Sequence, residues 1–105
     1  MGRQLVRVSI YINEGDQWRH RPLHLEVLQM LHDEGVAGGT VLRAVAGFTA
    51  KGHVETNSLV DVGGKLPLVI EFIDTAEMVS KVTPQLRTMV GKRLVVRERV
   101  ETLDE

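Results

Sequence analysis

Leu5-Val6-Arg7-Val8-Ser9-Ile10-Tyr11-Ile12 is the stretch on which the fold turns. A strand sends successive side chains to opposite faces, and the even positions Val6, Val8, Ile10 and Ile12 are all β-branched and apolar. They read as one buried strand face, with Arg7, Ser9 and Tyr11 on the other. Downstream, Asn13 to Arg21 is polar and carries Gly15 and the single Trp18. It reads as a loop ending at Pro22, whose fixed φ suits the first position of a helix. Leu23, Val27, Leu28 and Leu31 then recur at helical spacing through Glu34, and Gly35 stands where a left-handed cap closes a helix.

Two further strands follow, over Val41 to Ala46 and over Leu66 to Ile73. The second is apolar apart from Pro67 and Glu71, as expected of an interior strand. Asp74 with Glu77 three residues later resembles a capping box at the head of a second helix. That helix turns Met78, Val79, Val82, Leu86 and Met89 one way and is expected to kink at Pro84. A last strand, Arg93 to Val100, sets Leu94 and Val96 on one face and Val95, Arg97 and Arg99 on the other; the residues after Glu101 are polar and expected to fray. Strand, helix, strand, strand, helix, strand is the ferredoxin-like βαββαβ order, an α+β sandwich with both helices on one face of an antiparallel sheet. The uncovered face, to which this reading assigns Tyr11 and Val95, favours an oligomer.

The 105 residues make one domain, 1–105, long enough for one core and too short for two. Lys and Arg number 13 against 14 Asp and Glu, a net charge of −1, which argues against nucleic acid as a partner. The absence of cysteine excludes disulfides, thiolate nucleophiles and Cys-based metal sites. No apolar run reaches the roughly twenty residues that cross a bilayer, and the expected location is the cytoplasm.

Three segments are candidates for function. The connection from Phe48 to Lys65 is longer than the roughly twelve residues beyond which structureless loops tend to have a role. The turn Gly35-Val36-Ala37-Gly38-Gly39-Thr40 offers backbone amides and a hydroxyl to a ligand. Gly91-Lys92 presents an amide and an ammonium suited to phosphate. Read in order, Glu34-Gly35-Val36-Ala37-Gly38-Gly39-Thr40-Val41, Gly47-Phe48 and Lys51-Gly52-His53 resemble the corresponding stretch of the PII nitrogen-regulatory signalling proteins. A PII-like family known as a domain of unknown function is more similar still. Its pattern covers Tyr11-Ile12, Glu14, Asp16, Trp18, Pro22-Leu23, the Gly-rich turn, Leu66-Pro67 and Asp74.

The resemblance implies a non-enzymatic signalling protein: a homotrimer with an adenine nucleotide in the clefts between subunits and a flexible loop above each cleft. By that resemblance Gly38, Gly39 and Thr40 face adenine, and Gly47 and Phe48 begin the loop beside the phosphates. Lys92 contacts phosphate, and Arg97 and Arg99 belong to the neighbour's closing segment. Lys51, Gly52 and His53 fall in the signalling loop. No cofactor is implied; AMP, ADP or ATP would act as effector, and a target protein, an enzyme or a membrane transporter, would read the loop. Where the PII-like pattern has Arg-Gly and a second loop glycine, this chain has Arg43-Ala44 and Thr49. The added side chains favour a mono- or diphosphate, or no nucleotide at all.

Two other readings stand beside this one. One is a structural oligomer with a vestigial ligand site. The other is a small enzyme or metal-binding protein using Glu14, Asp16 and His53. His20, His24, His32 and His53 have no metal-ligand spacing, and Glu14 and Asp16 suit turn formation. Trp18 reads either as a base-stacking face or as an anchor for its loop against a neighbouring subunit.

Overall fold

The computed structural model describes residues 2–49, 54–56 and 65–104. Strand β1 (Gln4–Asn13) leads through the short pair β2 (Gln17–Trp18) and β3 (Arg21–Pro22) into helix α1 (Leu23–Asp33). Next come β4 (Gly39–Arg43), the small pair β5 (Ala46–Gly47) and β6 (Glu55–Thr56), then β7 (Pro67–Asp74), helix α2 (Ala76–Val90) and β8 (Val95–Glu101). The main sheet has the order β4-β7-β1-β8, and all its pairings are antiparallel. Two helices over a four-stranded antiparallel sheet are the ferredoxin-like arrangement that the alternation predicts.

The face under the helices is apolar. Val6, Val8, Ile10 and Ile12 of β1 and Leu68, Ile70 and Phe72 of β7 are buried against Leu23, Val27, Met30 and Leu31 of α1 and Val79, Val82, Leu86 and Met89 of α2. Each such side chain contributes on the order of 1.5–3 kcal/mol by leaving water.

Register assigns the remaining positions. Val95 lies opposite Ile10 and packs against the core, so the expectation that it joins Tyr11 on the uncovered face is wrong. A strand's side chains follow the pairing of their neighbours, and Val96, opposite Ser9, takes that place. The uncovered face therefore carries Leu5, Tyr11, Val69, Ile73, Leu42 and Val96, together with an Arg7–Glu98 ion pair.

Local capping also departs from the sequence reading. Thr75, not Asp74, caps α2: its Oγ1 accepts from the Met78 amide at 3.1 Å. The Asp74 carboxylate accepts instead from the Thr75 and Ala37 amides at 2.7 and 2.9 Å, tying the turn after α1 to the end of β7. Pro22 sits one residue ahead of α1 as its cap. Helix α2 continues through Pro84. The helical donor missing at Pro84 would have served Ser80, and both residues are exposed, so water can satisfy that carbonyl.

Candidate functional site

Gly91 ends α2 with φ +60, a conformation that favours glycine, and its amide donates to the Arg87 carbonyl at 2.9 Å. The chain then turns through Lys92 and Arg93 into β8. Arg93 Nε donates to Asp16 Oδ2 at 2.8 Å and Nη1 donates to the Val90 carbonyl at 3.0 Å. Asp16 is itself fixed by the turn after β1, its Oδ2 accepting from the Asn13 amide at 3.0 Å.

A second turn approaches from the opposite edge of the sheet, after β4. The Ala44 amide donates to the Pro67 carbonyl at 3.0 Å, and Gly47, at φ +155, passes so close to Pro67 that a Cβ would meet its ring at 3.3 Å. Phe48 follows, 61% exposed. The two turns border a cavity of about 790 Å³, lined by Tyr11, Asn13, Phe48, Lys92, Arg93 and Leu94 among others. Phe48 and Lys92 thus face the same space.

The other expected ligand residues stand elsewhere in the chain. Gly38, Gly39 and Thr40 are at the start of β4, one edge of the sheet; Arg97 and Arg99 are on β8, the opposite edge. Gly39, Phe72, Val8 and Arg97 form one row across the sheet, so Gly39 and Arg97 are three strand spacings apart, roughly 14 Å. Arg97 borders a separate groove of about 200 Å³ between α2 and β8, with Thr83 and Arg87. Lys51, Gly52 and His53 lie outside the described residues.

The glycines of the turn after α1 differ in what the fold asks of them. Gly35 closes α1 at φ +90. Gly39 lies under α1, where a Cβ would come within 3.1 Å of Leu28 Cδ2. At Gly38 a Cβ would meet nothing within 4 Å and φ is not positive, so the fold of the chain does not require glycine there.

The carboxylates of the enzyme reading are engaged: Glu14 pairs with Arg43 and Asp16 with Arg93. Among the described residues no group of three or more His, Asp or Glu side chains is placed to hold a metal ion. Trp18 packs against the core of its own chain, with the Arg19 guanidinium 5.0 Å from its ring centroid. Sequence reasoning missed Arg93 and its tie to Asp16. The adjacent Lys92-Arg93 pair was the available signal, but Arg93 read as the opening residue of a strand.

Residues 5–102 match the model of the family described as DUF190, Uncharacterized ACR. The chain belongs to the DUF190 family. This DUF190 chain is similar to UPF0166 protein MJ1524 of Methanocaldococcus jannaschii, 28% identical over 79% of this chain and 76% of the relative.

Among solved structures it is similar to CPII, a nitrogen regulatory PII-like protein from Thiomonas intermedia K12 bound to ADP, AMP and bicarbonate. The TM-score is 0.64 at 16% identity, covering 100% of this chain and 99% of CPII. It is similar also to the GlnK–ATP complex of B. subtilis, with a TM-score of 0.56 at 22% identity, covering 92% and 82% of the two chains. The divalent ion tolerance protein CutA1 of Ehrlichia chaffeensis has a TM-score of 0.58 at 7% identity, covering 96% and 83%. At such identities the likeness is one of fold, and the fold this DUF190 chain shares is that of the PII-like proteins.

Proposed function

We propose that this chain is a PII-like regulatory protein and not an enzyme. It binds an adenine nucleotide, AMP, ADP or ATP, in the clefts between subunits of a cytoplasmic homotrimer. It signals occupancy to a target protein through the loop between Phe48 and Lys65. The observation that carries this reading is the split of the ligand residues. Gly38, Gly39 and Thr40 occupy one sheet edge and Arg97 and Arg99 the other, so one copy does not gather the two sets into a single pocket, whereas a neighbour's β8 edge beside this chain's β4 edge would. Phe48 and Lys92 border the cavity, with Gly47 immediately before Phe48, and Gly38 is open to close approach from outside the chain.

Two proteins of the same fold, CPII and GlnK, have been solved with adenine nucleotides, which supports the choice of ligand class. The partly exposed apolar face of the sheet supports assembly, because burying it requires a second surface. Calorimetry with AMP, ADP and ATP, run beside light scattering, tests the proposal. The expected result is a trimer mass with micromolar or tighter binding of at least one nucleotide.

A second reading, a structural oligomer whose ligand site has been lost, is favoured by Thr49, which puts a side chain into the lining of the cavity. A trimer silent to all three nucleotides selects it.

A further inference from the structure

Lys92 and Arg93 face one cavity but are held in opposite ways. Lys92 is exposed and makes no ion pair among the described residues, so it acts as a mobile point charge. Arg93 is anchored through Nε to Asp16 and through Nη1 to the Val90 carbonyl. A guanidinium carries five N–H donors in a rigid plane; two are used here, which leaves three for a ligand. Because the side chain is already ordered, little rotamer freedom is left to lose on binding.

Asp16 is ordered in turn. Its carboxylate accepts from the Asn13 amide, its own amide donates to the Asn13 carbonyl at 2.9 Å, and its carbonyl accepts from the Leu23 amide at 2.9 Å. The carboxylate also cancels most of the Arg93 charge. Long-range attraction of an anion is therefore left to Lys92, and Arg93 supplies directed donors at contact.

We infer that Arg93 is a second phosphate-contacting residue of the nucleotide site and that Asp16 is the residue that positions it; this rests on the nucleotide reading above. The competing account is that the pair only ties the turn after β1 to the turn after α2.

Calorimetry with ADP on the full chain, with a thermal melt of each variant, separates the two. Arg93→Lys keeps the charge and loses the fork, and is expected to weaken ADP binding by roughly tenfold or more. Asp16→Asn can still accept from the Asn13 amide and is expected to weaken binding several-fold. The double variant should be no weaker than Arg93→Lys alone, because Asp16 acts through Arg93.

Parent-like affinity in Arg93→Lys, with only a lowered melting temperature, overturns the inference in favour of the structural tie. So does strict additivity in the double variant. If Lys92→Ala loses ADP while Arg93→Lys keeps it, the nucleotide reading stands and this inference falls. A folded parent silent to AMP, ADP and ATP overturns both.

Discussion

The two faces of the main sheet are built from the same strands and have opposite fates. Toward the helices, Val8, Ile10, Ile12, Leu68, Ile70 and Phe72 are at most 3% exposed and meet partners from their own chain. On the other side Tyr11 is 40%, Val96 42% and Leu42 53% exposed, beside an exposed Arg7–Glu98 ion pair. The difference separates the surface the chain covers for itself from the surface it leaves open. The covered face sets the stability of the chain, and the open face, with the cavity at its end, is where the proposed assembly and ligand are to be tested.

The largest expected effect lies on the covered face. Phe72→Ala should cost about 3–5 kcal/mol, enough to unfold most or all of a marginally stable domain, read as lost cooperativity in a thermal melt. A Phe72→Ala protein melting with the parent would show that the helices, and not the sheet, carry the core.

Next comes the open face. Tyr11→Glu with Val96→Glu puts two carboxylates on it and is expected to reduce the proposed trimer to monomers by light scattering, while the monomer keeps its secondary structure by circular dichroism. An undisturbed trimer mass would mean that assembly uses another surface.

Lys92→Ala tests the cavity end. If Lys92 makes the proposed charge-assisted contact, its loss, about 1.5–3 kcal/mol, is expected to weaken nucleotide binding roughly tenfold or more, with little change in stability because the side chain is exposed. If Arg97→Ala or Arg99→Ala loses binding while Lys92→Ala does not, the phosphate lies nearer the β8 edge.

The smallest pair of effects contrasts two adjacent glycines. Gly39→Val drives a branched side chain into Leu28 and should cost about 1–3 kcal/mol. Gly38→Ala, where a Cβ meets nothing, should change stability by less than about 0.5 kcal/mol yet weaken nucleotide if a ligand approaches that backbone. Equal destabilisation by both would remove the reason for singling out Gly38.

What the sequence by itself determined is the order of the four main strands and two helices and the apolar faces of β1 and the helices. The alternation from Val6 to Ile12 and the helical spacing of Leu23, Val27 and Leu31 are local periodicities, and burial of each apolar stripe against the other admits few arrangements. The Gly35 cap was legible for the same reason, since its conformation is decided within one turn. Only the tertiary structure decided the rest. Which of Val95 and Val96 faces the core depends on the register of β8 against β1, a pairing between residues almost ninety positions apart that no local pattern encodes. The choice of Thr75 over Asp74 as a cap followed from Asp74 being drawn to the Ala37 amide by the fold. The meeting of Arg93 with Asp16, and of Phe48 with Lys92, arises from where the sheet brings its turns together, which spacing along the chain does not record.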